Sequence, residues 1–161
     1  GFDARYTLAG HEGADLQFAI LRAGGAIGRA EDAVVLHPPR PATFGVSLAR
    51  QRRGQFDALL CKNHRELYRA RVARTPPWGH YAIIASAAVG SVAAFGGAPQ
   101  VAVTAGTLWL VLTLDFARER LRRSARTPRH VAEMLLTSAA IPFLSVFWRL
   151  YGALKFRVAF L

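Results

Sequence analysis

Two consecutive stretches without a single Asp, Glu, Lys or Arg dominate this chain: Trp78 to Gly97, then Pro99 to Leu114. A bilayer core is matched by about 20 residues of helix, with about 17 tolerated. Both runs meet that length, the second narrowly, and Asp115 marks its far end. Gly96-Gly97-Ala98-Pro99-Gln100 between them is a tight turn without charge, whereas RELYRARVAR precedes the pair and RERLRRSAR follows it. Arginine on both outer flanks and none in the turn predicts a helical hairpin entering and leaving one membrane face, with both flanks cytoplasmic. Two core helices of a soluble domain are the alternative, but a chain this small would struggle to cover them.

A third apolar run, Val131 to Trp148, carries Glu133 within it and Pro142 near its middle. Arg126 and Arg129 flank it on one side, and Arg149, Lys155 and Arg157 on the other. Like charge at both ends suits a re-entrant or interfacial helix pair, with a third span as the alternative. Pro142 predicts a kink or break, because it removes a helix hydrogen bond.

The first half is more polar and strongly basic. Net charge is +11, most of it arginine, which draws polyanions. The arginines adjoin apolar spans without interleaved stacking aromatics, so anionic lipid accounts for them better than nucleic acid does. The single cysteine, Cys61, excludes an intrachain disulfide and a cysteine-based zinc site, leaving it as a small apolar side chain. Phosphate-loop, HExxH, EF-hand and nucleophile-elbow motifs are all missing.

Along this half, Gly1 to Gly10 reads as loop, with Phe2 and Tyr6 as candidate anchors. His11 to Gly25 follows as a short helix, with Leu16, Ala19, Ile20 and Ala23 as its buried stripe and Gly24-Gly25 as its stop. Glu12 and Asp15 share a face at its start, where the helix dipole favours ionised carboxylates. Carboxylates so placed serve as general base, metal ligand or hydroxyl clamp, or simply as solubilising residues. Ala33 to His37 is an apolar run suited to a buried strand, ended by Pro38-Pro39-Arg40-Pro41. Thr43 can cap a second helix to about Asn63, with Phe56, Leu59 and Leu60 on one side and Arg50, Arg53 and Asp57 on another.

The blocks GFDAR, E-x-x-D-L, LRAGG, AVVLHPPRP, QRRGQFDALL and HRELYR, in that order, resemble membrane-bound family 2 glycosyltransferases. The resemblance implies an α+β fragment, mostly α: the C-terminal part of a GT-A α/β domain (1–75), a transmembrane hairpin (76–118), then a basic linker and third membrane-associated segment (119–161). The expected activity is transfer of a sugar from a nucleotide-sugar donor to a lipid-linked or envelope saccharide acceptor, at the cytoplasmic face of an inner membrane. The donor-binding half and its aspartate-rich site would lie upstream, making these residues a fragment. Such enzymes use a divalent metal, Mg or Mn, and a histidine such as His37 completes its site in several of them.

The family's helix commonly begins Glu-Asp-x-Asp-Leu, and its catalytic base falls here on Gly13. Either Glu12 or Asp15 substitutes, or the protein is a non-catalytic remnant or membrane-anchoring partner. Arg50-Gln51-Arg52-Arg53-Gly54 aligns with a Gln-x-x-Arg-Trp motif that contacts acceptor sugar and donor. Arg53 matches, Arg50 stands at the glutamine position beside Gln51, and Gly54 replaces the tryptophan, which disfavours a processive polymer synthase. Arg53 is the candidate for diphosphate contact, because a guanidinium offers paired donors.

Overall fold

A computed structural model describes residues 1–36, 38, 43–73, 75–122, 124 and 127–159. The described residues are helical or irregular, with no strand among them. In chain order the helices are α1 (Glu12–Arg22), α2 (Val46–Arg50), a 3₁₀ turn (Gln51–Gly54), α3 (Gln55–Asn63), α4 (Arg65–Arg71), α5 (Trp78–Phe95), α6 (Pro99–Leu121) and α7 (Pro128–Phe156).

The α+β architecture expected of a GT-A fragment is therefore overturned. The segment expected to be a strand is neither paired nor buried: Val34, Val35 and Leu36 are 80%, 83% and 90% exposed. A strand is stabilised by a ladder partner and a covered face, and no second extended segment among the described residues offers either. His37, Pro39, Arg40 and Pro41 lie outside the described residues.

Three helices, α5, α6 and α7, are long and apolar enough to cross a membrane, the mark of a multi-pass membrane protein. α5 and α6 form the expected hairpin, turning through Gly96–Ala98. Their axes approach closely at Gly90, where a Cβ would lie 3.5 Å from both the Ala105 Cβ and the Gly106 nitrogen. Small residues at such a crossing let backbones pack where lipid offers no hydrophobic drive. Ser86, Ser91, Thr104 and Thr107 turn their hydroxyls back to carbonyls of their own helices, so these groups enter the apolar zone satisfied.

α7 is a single helix of 29 residues, running through Pro142 without the break that was one of the two outcomes expected there. Pro142 and Ser138 are fully buried, so the surrounding packing holds the helix across the missing hydrogen bond. Met134, Ile141 and Gly152 lie on the same inward face.

The remaining helices form a small cap. Phe18, Ala58, Leu60, Cys61 and Tyr68 make its core, joined by Leu21, Leu67 and, from the end of α7, Ala153 and Phe156. In α1 the buried stripe is Ala14, Asp15, Phe18 and Leu21, rotated from the expected one; Ala19 and Ile20 face outward. Phe18 is the largest apolar side chain of α1, and burying it sets the helix's rotation. The expected helix from Thr43 to Asn63 is divided into α2, the 3₁₀ turn and α3, and it starts after Gly45, whose φ of 79° suits glycine. Gly45 donates its N–H to Glu133 Oε1 of α7 at 2.7 Å, so a tertiary contact caps this end where Thr43 was expected to. Phe56, Leu59 and Leu60 are buried as read from the sequence, and Phe2 is exposed.

Candidate functional site

The N-terminal end of α1 meets α3 and the second half of α7 through two carboxylates. Asp57 of α3 is held on both oxygens: His11 Nε2 lies 2.8 Å from Oδ1, and Arg149 Nη1 donates to Oδ2 at 3.0 Å. The three groups are each about one-fifth exposed or less, so the pairing is sheltered from water. Tyr68 interacts with Arg149, and burial lifts its ionisation above the ordinary phenol range.

Asp15 is the second carboxylate. Its Oδ1 accepts from the Tyr6 hydroxyl at 3.0 Å and from Asn63 Nδ2 at 2.9 Å, with His64 Nε2 at 3.2 Å. Burial and the neighbouring Asp15 charge push Tyr6 far above the ordinary phenol range, so it remains a donor. Asn63 also reaches Asp3, whose carboxylate is gripped by Arg5 and thereby held down to about 2. Asp15 is thus buried and enclosed by donors, the setting of a group that fixes its neighbours in place.

Glu12 differs. It lies at the surface, and Oε2 accepts the Gly10 N–H at 2.6 Å. Hydrogen bonds from its own amide and that of Gly10 hold its carboxyl below the usual range. Gly13 beside it is exposed, and a Cβ there would meet nothing within 4 Å. Arg53 comes to the same turn: a Cβ on Gly10 would lie 3.5 Å from Arg53 Cδ and 3.8 Å from its Nη1.

Of the residues singled out in sequence, then, Glu12 and Arg53 flank one exposed turn, and Asp15 lies buried one helical turn further in. Arg50 is exposed at the end of α2, and Gln51 is spent on its own helix, donating to the Ser47 carbonyl at 3.0 Å. His37 lies outside the described residues. No group of three or more His, Cys, Asp or Glu among the described residues could hold a metal ion. Asp3, Asp15 and Asp57 are already engaged by Arg5, by Tyr6, Asn63 and His64, and by His11 and Arg149 respectively. The divalent metal expected from the resemblance would be held by upstream aspartates with His37, which lies outside the described residues.

Sequence reasoning missed Asp57 and Arg149, which it placed on the side of a helix away from Phe56 and on the flank of an apolar run. Arg149 did leave a signal, as the first charge after an apolar run. Trp148 beside it packs next to Gly54, where a Cβ would lie 4.0 Å from the Trp148 Cβ, and Arg52 sits 5.5 Å over the Trp148 ring.

No protein-family model, curated protein or solved structure matches this chain.

Proposed function

We propose that this chain supplies the acceptor side and membrane anchor of an inner-membrane glycosyltransferase. The enzyme transfers a sugar from a nucleotide-sugar to a lipid-linked or envelope saccharide at the cytoplasmic surface. The reading is supported by one observation above all. The E-x-x-D-L and QRRG blocks, remote in sequence, meet at the Gly10–Glu12 turn, where Arg53 lies alongside.

Glu12 is the assigned base. The acceptor hydroxyl gives its proton to the Glu12 carboxylate as its oxygen bonds to the anomeric carbon. The bond from that carbon to the nucleotide diphosphate breaks, and the diphosphate leaves with the electron pair, its charge met by Arg53. Asp15, His11 and Asp57 are positioning residues that fix the turn. In the intact membrane protein, offered a panel of nucleotide-sugars and a lipid extract, Glu12→Gln lowers transfer by about 10²-fold or more. Gly13→Asp, which has open space, raises it. Full activity in Glu12→Gln sinks the assignment.

A second reading, a non-catalytic remnant or anchoring partner, is favoured by the Glu12 carboxyl itself. A general base works best near the ambient pH, whereas amide contacts draw Glu12 the other way. Absence of transfer by both the parent and Gly13→Asp would select this reading.

A further inference from the structure

α7 has the length and composition of a spanning helix, yet besides α5 and α6 it packs on α2, the 3₁₀ turn and α3 of the charged cap. Near its start, Glu133 accepts the Gly45 N–H, and Thr137 and Ser138 accept from Arg120 at the end of α6 (2.9 and 2.7 Å). Arg120 also reaches Ser47 of α2 at 3.2 Å. Further on, Arg149 pairs with Asp57, and Gly152 lies so close to Gln55 that a Cβ would fall 2.8 Å from the Gln55 Cα. At the end, Lys155 donates to Gln55 Oε1 at 3.2 Å, and the Phe156 carbonyl accepts from Lys62 at 2.7 Å.

From Glu133 to Lys155 the helix advances about 33 Å, the thickness of a hydrocarbon core. If it crossed the bilayer, α2, the 3₁₀ turn and α3 would have to cross beside it. That would carry Arg50, Arg52, Arg53 and Asp57 into the lipid, an environment that strongly disfavours such charges. The opposite face of α7 is an uninterrupted apolar stripe: Leu136, Phe143, Phe147, Leu150 and Leu154, each at least 41% exposed. Their spacings of seven, four, three and four keep them on one side of a helix.

We infer that α7 lies in the plane of the membrane surface, on the arginine-rich side of the α5–α6 hairpin. Its Leu136–Leu154 stripe faces the acyl chains and its Ser138–Gly152 face carries the cap. The occupant of the stripe is the lipid leaflet, given its continuity with two apolar spans and the charged helices behind it. The inference rests on the membrane placement of α5 and α6 within the proposed function and is independent of sugar transfer.

The test places nitroxide labels in the full chain, with Cys61→Ala, in vesicles of phosphatidylethanolamine and phosphatidylglycerol. Single cysteines at Leu136, Phe143, Leu150 and Leu154 report depth from oxygen and nickel-chelate collision, and Leu108→Cys, near the middle of the α6 span and exposed, serves as hairpin reference. The expected result is one shared depth for the four, about 5–10 Å below the headgroups, with Leu108 deeper. Depth rising to a maximum at Phe143 and falling by Leu154 would overturn the inference. An aqueous signal at Leu108 would remove the membrane placement itself, and the inference with it. Without any substitution, N- and C-terminal epitopes on sealed vesicles are expected to be digested from the same side. Digestion from opposite sides would overturn the inference.

Discussion

Tyr6 shows how one hydroxyl can secure a terminal segment. It donates to Asp15, and its ring sits tilted against Phe56 at 5.5 Å between centroids, linking the N-terminal loop to α1 and α3. Tyr6→Phe keeps the ring and leaves Asp15 one donor short, a loss of about 1 kcal/mol. Chemical denaturation in detergent would register it as a lower midpoint. Asp3 gives the same segment an acid dependence. Its carboxyl is depressed from 3.8 to about 2 by Arg5, so its contribution is complete above about pH 4 and disappears as pH falls through 2. NMR titration of the Asp3 carboxyl carbon is expected to have its midpoint near the lower value. Gly152 is a steric case, with the Gln55 backbone against its Cα. Gly152→Ala forces α3 and α7 apart and is expected to destabilise the cap by about 1–3 kcal/mol, seen as a reduced Tm.

Among the elements, the α5–α6 hairpin depends on its close crossing at Gly90. Gly90→Leu is expected to separate the helices, read as lost cross-linking between cysteines placed on facing positions. This hairpin was legible from sequence because charge-free length and arginine flanks reflect a solvent constraint that acts on every residue of the span. The buried face of α1 was less so. Leu16, Ala19 and Ile20 have helical spacing, but the face that is buried carries Asp15, a polar residue made compatible by three donors from distant segments. Periodicity counts apolar residues and has no access to such partners. Val34–Leu36 failed for a related reason: apolar composition fits a buried strand only when another strand is there to pair with it. The same limit hid the site's framework. Glu12 and Arg53 were visible through block resemblance, whereas the Asp57–Arg149 link joins residues 92 positions apart and has no local signature.

At the scale of the whole molecule, a basic helical cap is fastened to apolar helices by buried polar contacts. Arg120 is one such fastening, with four hydrogen-bonding partners on α2 and α7. The guanidinium has no substitute among uncharged side chains, so Arg120→Met is expected to raise amide exchange across residues 45–54 while leaving α5 protected. Asp57 is another fastening, since it holds Arg149 of α7 on one oxygen and His11, next to Glu12, on the other. Because a short, sheltered ion pair tolerates little displacement, rotation of α7 about its long axis is transmitted through Asp57 to the first turn of α1. With α7 in the membrane surface, as inferred above, the bilayer would act on one end of this linkage and the carboxylate of Glu12 would sit at the other, making lateral pressure in the leaflet a mechanical input to the turn.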